Sequence, residues 1–96
     1  MKTKPTAAPT FIQTTASVQR LVAAHRLVEA GMYNKEQIRA RLEQQFGNCS
    51  TSTVEKLFQK LRNEYDAPIA YVYFGDCYKY TEPFPFQGKL LAQLGF

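Results

Sequence analysis

Ser50-Thr51-Ser52-Thr53 places four small hydroxyl side chains in succession, and Lys56, Gln59 and Lys60 follow within the next two helical turns. If a helix starts in this run, the hydroxyls and the unpaired N–H groups of the first turn together donate to phosphate oxygens without steric obstruction. Lysine and glutamine one turn later are long enough to reach base edges, glutamine matching adenine and lysine matching guanine. The same three long side chains also suit the solvated face of an amphipathic helix.

Other chemistries have less to work with. Two cysteines, Cys49 and Cys77, are too few for a disulfide framework, and a single histidine, His25, completes no zinc-ligand set. No metal and no cofactor is expected, and the thiols are expected to stay free in a reducing compartment. A cysteine nucleophile needs a base, and His25 falls within an apolar stripe, where a hydrogen-bonded core or interface histidine is the expected role. Glu64 and Asp66 sit at a helix end with no cleft implied around them. No catalytic residue is assigned, and the chain is not expected to be an enzyme.

The elements that position the hydroxyl run are legible from periodicity. Residues 1–13 carry two prolines, three threonines and two lysines without apolar periodicity, and are expected to form a flexible arm. Val18, Leu21, Val22, His25 and Val28 recur at helical spacing ahead of Gly31, predicting a first helix over about 14–30. Asn34 with Gln37 forms a capping box, and Ile38, Leu42 and Phe46 repeat every four residues up to Gly47, predicting a second helix over 35–46. A third helix follows a short turn, capped either by Ser50 or by the Ser52 to Glu55 box, with Val54, Leu57, Phe58, Leu61 and Tyr65 as its buried stripe. Pro68 ends it. Ile69 to Phe74 and Cys77 to Thr81, separated by Gly75-Asp76, read as a two-stranded hairpin. Its aromatics have two readings, bases stacked on an exposed strand pair or a hairpin packed on the helices with Tyr71 and Tyr78 or Tyr80 as core, and the spacing suits the second. Pro83-Phe84-Pro85-Phe86 is expected to run extended over the surface as a clamp or dimer contact, ahead of a last helical turn or two over 89–94.

Ninety-six residues is the length of one small domain, which can hold a single core but leaves little room for a deep substrate cavity as well. The charge is uneven. Residues 1–62 hold ten basic and four acidic side chains and residues 63–96 hold two and four, so a net +6 precedes a net −2. A positive field over part of a small protein suits a polyanionic partner. Nothing near the N-terminus has the apolar run of a signal peptide and no stretch approaches the roughly 18 apolar residues of a span, so no membrane association and a cytoplasmic location are expected.

Helix, helix, tight turn, helix, hairpin is the order of a winged helix-turn-helix, in which the third helix enters the major groove with the hairpin, or wing, beside it. The run from Ser50 to Arg62 (STSTVEKLFQKLR), the segment Ala67-Pro68-Ile69-Ala70-Tyr71, and Cys77-Tyr78-Lys79-Tyr80-Thr81-Glu82-Pro83 carry a more specific likeness. Together they resemble the N-terminal winged helix-turn-helix domain of bacterial WYL-domain, DeoR-like transcriptional regulators, over roughly residues 17–83. Ser52 and Lys56 stand where that family has arginines, Leu57 where it has aspartate, Cys77 at a wing glycine, and Asp76 in a loop where the family carries basic residues. The acid argues against inserting this wing into a minor groove and leaves Tyr73 and Lys79 as wing candidates. No ligand-sensing WYL domain is expected, and no small-molecule ligand is evident.

The expected architecture is therefore α+β: a flexible arm over 1–13, a winged helix-turn-helix over 14–82, and a C-terminal extension over 83–96. The expected partner is double-stranded DNA, bound sequence-specifically by a transcriptional regulator with residues 51–65 in the major groove. Ser50, Thr51, Ser52 and Thr53 would position that helix on phosphate, with Lys56, Gln59 and Lys60 facing bases. Lys35, Lys79, and Lys2 and Lys4 on the arm would add backbone contacts. Leu90, Leu91, Leu94 and Phe96 form an apolar tail, from which a homodimer is expected. The alternative is a winged-helix module for protein contacts that has lost its DNA face.

Overall fold

Asn34 caps the second helix. Its Oδ1 accepts the Gln37 N–H at 2.8 Å while Gln37 Oε1 accepts the Asn34 N–H at 2.9 Å, so both halves of the capping box are made. In this computed structural model, which describes residues 7–93 and Gly95 and side chains from Ser17 to Ala92, the box opens α2 (Lys35–Phe46). Gly47, at φ 84°, takes the left-handed turn that closes it. Of the two candidate caps for α3 (Thr51–Tyr65), Ser50 is the one used: its Oγ accepts the Thr53 N–H at 3.2 Å. Asp66 ends α3 at φ 59°, and the Ala67 N–H returns to the Leu61 carbonyl at 3.0 Å.

The first helix, α1 (Ala7–Ala30), begins seven residues before the expected start. The expected arm is thus helical over 7–13, while residues 1–6, with Lys2 and Lys4, lie outside the described residues. Pro9 is compatible with this longer helix. Proline breaks a helix interior, but at the third position of α1 its missing N–H belongs to the first turn, whose N–H groups have no intrahelical acceptor.

Strands β1 (Ile69–Val72) and β2 (Cys77–Tyr80) pair antiparallel, with Ile69 opposite Tyr80 and Val72 opposite Cys77. Tyr33, in the α1–α2 connection, adds a one-residue bridge to Tyr78, whose N–H reaches the Tyr33 carbonyl at 2.8 Å. That bridge joins the hairpin to the helices. The core lies where α1, α2, α3, the hairpin and the last helix, α4 (Phe86–Gln93), converge: Leu21, Ala24, Val28, Ile38, Val54, Phe58, Leu61 and Ile69 are buried, joined by Phe86 and Leu90. Tyr71 was expected among them and is instead half exposed; Tyr78 and Tyr80 are half-buried against the core.

The Pro-Phe-Pro-Phe run also departs from its expected surface path. Phe86 starts α4 and is buried at 3% exposure, because Pro85 precedes the helix, where a proline costs no hydrogen bond. Phe86 stacks on His25 at 4.6 Å and meets Tyr65 edge-on at 5.3 Å, while Phe84 meets His25 at 5.9 Å and Tyr80 at 4.9 Å. The run clamps the chain's only histidine from within. Tyr80 Oη lies 2.8 Å from His25 Nδ1. Burial pushes the Tyr80 phenol well up, so it stays protonated, and the direction of its hydrogen bond with Nδ1 follows the imidazole tautomer; Nε2 faces Glu29 at 3.7 Å.

Burial also holds the His25 imidazole below its ordinary 6.5, outweighing the Glu29 carboxylate, with Arg26 acting in the same downward direction. The unfolded chain then takes up this proton at higher pH than the folded one. The stability due to neutral His25 is full above pH 6.5 and is lost as the pH falls through the lower folded value. The imidazole resonance in the folded protein is expected to titrate below that of the urea-unfolded chain. A folded midpoint at or above 6.5 would contradict this packing.

No helix among the described residues is long and apolar enough to cross a membrane.

Candidate nucleic-acid interface

Alternation between buried and exposed positions gives α3 two faces. Val54, Phe58, Leu61 and Tyr65 point into the core, and Ser52, Lys56, Gln59 and Asn63 run along the exposed side at spacings of four, three and four. None of these four exposed side chains has a hydrogen-bond or ion-pair partner among the described residues. The stripe starts at the N-terminus of the helix, where the backbone dipole favours an anion. Asn63 was not among the expected contacts, although its spacing from Gln59 carries it onto the same stripe.

The hydroxyl run divides into two pairs. Ser50 and Thr53 are engaged with the helix itself: Ser50 Oγ accepts the Thr53 N–H, and the two hydroxyls lie 3.2 Å apart. Thr51 and Ser52 are exposed on the first turn. Ser50→Ala is therefore expected to cost about 1 kcal/mol of stability, and Ser52→Ala close to nothing, in urea denaturation. Equal losses for the two would show that Ser50 is not the working cap.

The expected lysines are likewise in different states. Lys56 is exposed and unpaired among the described residues, and Lys60 lies 3.5 Å from Glu64, one turn on. Lys35 is half-buried, paired with Glu55 of α3, and sits 5.9 Å from the centre of the Tyr78 ring. The hydrogen bond from Lys35 holds the Glu55 carboxyl below its ordinary range, so Glu55 stays charged beside the stripe at neutral pH. Arg62 turns back toward the fold, 3.4 Å from the Ile69 carbonyl and 5.9 Å from the Phe58 ring.

The hairpin supplies aromatic surface more than charge. Tyr73 is 83% exposed and Phe74 fully exposed at the tip. Asp76, at φ 48°, accepts from Tyr71 Oη at 2.5 Å and from Asn34 Nδ2 at 3.0 Å, and these bonds lower its pKa. Its carboxylate thus latches the tip to the cap of α2, a structural use for an acid that looks misplaced in the sequence. Lys79 points from the opposite face of the hairpin to Tyr78, and its Cβ would lie 3.4 Å from a Cβ on Gly31 at the end of α1. Tyr78 packs on Phe58 of α3 at 4.9 Å, so Lys79 is not carried to the α3 stripe with it.

Among the described residues no group of three metal-ligating side chains converges. Cys49 is half-buried and Cys77 buried, both as free thiols, and burial pushes the Cys49 thiol up. Leu90 of the expected apolar tail is buried against the core, Leu91 is 44% exposed, and Leu94 and Phe96 lie outside the described residues. No protein-family model, curated protein or solved structure matches the chain.

Proposed function

We propose that this chain is a winged helix-turn-helix protein that binds double-stranded DNA through α3 and acts as a transcriptional regulator, as its likeness to the WYL-type N-terminal domain implies. The observation that carries the reading is the exposed stripe Ser52, Lys56, Gln59 and Asn63, free of intramolecular partners among the described residues and continuous with the helix N-terminus. A donor-rich helix face 12 residues long matches what a major groove admits. The order of elements and the Tyr33–Tyr78 bridge, which places the hairpin beside the helices, support the same reading. Two copies on adjacent half-sites belong to this proposal, and a strictly monomeric protein on and off DNA in sedimentation would remove that part of it.

Glu55 gives the reading a specific test. It is a negative charge beside the stripe and it occupies Lys35. Glu55→Gln removes a repulsion toward phosphate and releases a lysine, so duplex affinity in low salt is expected to rise by about 3- to 10-fold. Unchanged or weaker binding, measured by fluorescence anisotropy, would count against α3 facing DNA.

A second reading, a module for protein contacts, is favoured by the pairing of Lys35 and Lys60 with carboxylates and by the bare aromatic tip at Tyr73 and Phe74. It predicts no duplex binding at low salt and no response to Glu55→Gln.

A further inference from the structure

Most carboxylates of the described chain are engaged. Glu36 and Glu43 hold Arg39, Glu55 holds Lys35, Asp66 faces Lys89 and Asp76 latches the hairpin. Four arginines, Arg20, Arg26, Arg41 and Arg62, have no carboxylate within ion-pair distance among the described residues. Arg62 of α3 is turned to the Ile69 carbonyl, and the other three lie on α1 and α2.

Arg26 and Arg41 line a trough of about 860 Å³ between α1 and α2. Its floor carries Val18, Val22, Leu27 and Phe46, only partly covered by the rest of the fold; Gln19, Gln44 and Gln45 also line it, and among the described residues no acidic side chain does. Arg20 adjoins the trough through Phe46, its guanidinium 5.6 Å from the centre of that ring, and the Arg41 guanidinium lies 4.5 Å from the centre of Tyr33. A guanidinium held over a ring keeps its in-plane N–H donors free for a carboxylate.

We propose that this trough docks an acidic amphipathic helix of a protein partner, with apolar side chains on the floor and carboxylates on Arg26, Arg41 and Arg20. An apolar trough between two helices takes the apolar stripe of a third, and the arginine rim sets the sign of the charges flanking it. A duplex gains nothing from the apolar floor. A second copy docked face to face about a two-fold axis would oppose arginine to arginine. No residue of the α3 stripe lines the trough, so the proposal stands whether or not α3 binds DNA.

The test uses the full chain and a labelled synthetic helix of about 16 residues, with leucines at i, i+3, i+4 and i+7 and glutamates elsewhere, beside its lysine counterpart. Anisotropy is expected to give a Kd of tens of micromolar for the glutamate peptide, weaker at about 200 than at 50 mM salt, and at least about tenfold weaker binding of the lysine peptide. Arg26→Glu with Arg41→Glu is expected to cut glutamate-peptide affinity by about tenfold at an unchanged melting temperature, whereas Lys56→Ala with Lys60→Ala leaves it unaltered. If the charge reversals unfold the chain, Arg26→Gln with Arg41→Gln is expected to show about a threefold loss. The proposal is overturned by an absence of binding up to about 500 µM peptide, or by equal affinity for the two peptides. It is also overturned if the arginine variants keep peptide affinity and instead lose self-association, which would assign the trough to a second copy, or duplex affinity, which would assign it to DNA.

Discussion

Replacing Lys56 and Lys60 together by alanine is expected to weaken binding to duplex DNA by about 10- to 100-fold and to blunt discrimination between sequences, because base-edge contacts of this kind are each worth roughly 1–3 kcal/mol. Both side chains are exposed and neither supports the core, so the melting temperature is expected to hold within the range of ordinary surface substitutions. The larger share belongs to Lys56. Lys60 already shares its charge with Glu64, whereas Lys56 is unpaired and lies between Ser52 and Gln59 on the stripe. Single substitutions are therefore expected to rank Lys56→Ala above Lys60→Ala in lost affinity. Titrations of a labelled duplex with each variant check the order, and unchanged affinity in the double variant would remove α3 from the interface. Lys79→Ala is expected to have little effect, because the hairpin turns that side chain away from the face that packs on α3.

The largest effect on stability is expected at Phe58. This ring is buried at 2% exposure, sits on the inner face of α3, and meets the Tyr78 ring at 4.9 Å, so it joins α3 to the hairpin. Phe58→Ala deletes that junction and leaves a cavity, at a cost of about 3–5 kcal/mol. Small domains have only about 5–15 kcal/mol to lose, so a large fraction of the variant is expected to be unfolded by mild urea. Phe58→Leu keeps most of the volume and is expected to fold with a smaller loss. Urea denaturation followed by far-ultraviolet circular dichroism measures both. A Phe58→Ala loss below about 1 kcal/mol would mean that the α3–hairpin junction is not a core contact.

The parts of the fold legible in the sequence are those specified by local chemistry. Asn34 with Gln37 and the glycine at 47 act within a few residues of themselves, and α2 begins and ends where those signals place it; Ser50, one of the two caps the sequence offers, opens α3. The buried stripe of α3 was legible for the same reason, since it repeats within a single helix. What failed depended on partners distant in sequence. Phe86 is core because His25 and Tyr65 receive it, and Tyr71 is half exposed, its hydroxyl donating to Asp76 at the hairpin tip. Residues 7–13 were read as part of an arm because they lack apolar periodicity, yet they continue α1 toward its start.

The same division holds for the candidate site. Residue types on the α3 stripe were visible from spacing, but pairing was not. Glu55 reaches Lys35 from the next helix, a contact across 20 positions that no local pattern announces, and it turns an expected phosphate contact into an intramolecular pair. Asp76 reads as a repulsive wing residue until Asn34 and Tyr71 are seen to donate to it. The arginines of α1 and α2 were counted in the basic excess of residues 1–62 without a location, and only the packing of the two helices gathers Arg26 and Arg41 on one trough.

The central claim, that the α3 face binds duplex DNA, is tested most directly by titrating a fluorescein-labelled mixed-sequence duplex with the unmodified protein and reading anisotropy at about 50 and 200 mM salt, where phosphate neutralisation releases counterions. The account predicts saturable binding at the lower salt and a loss on the order of 100-fold at the higher, as about four phosphate contacts require. No binding at the lower salt, or binding indifferent to salt, would contradict it.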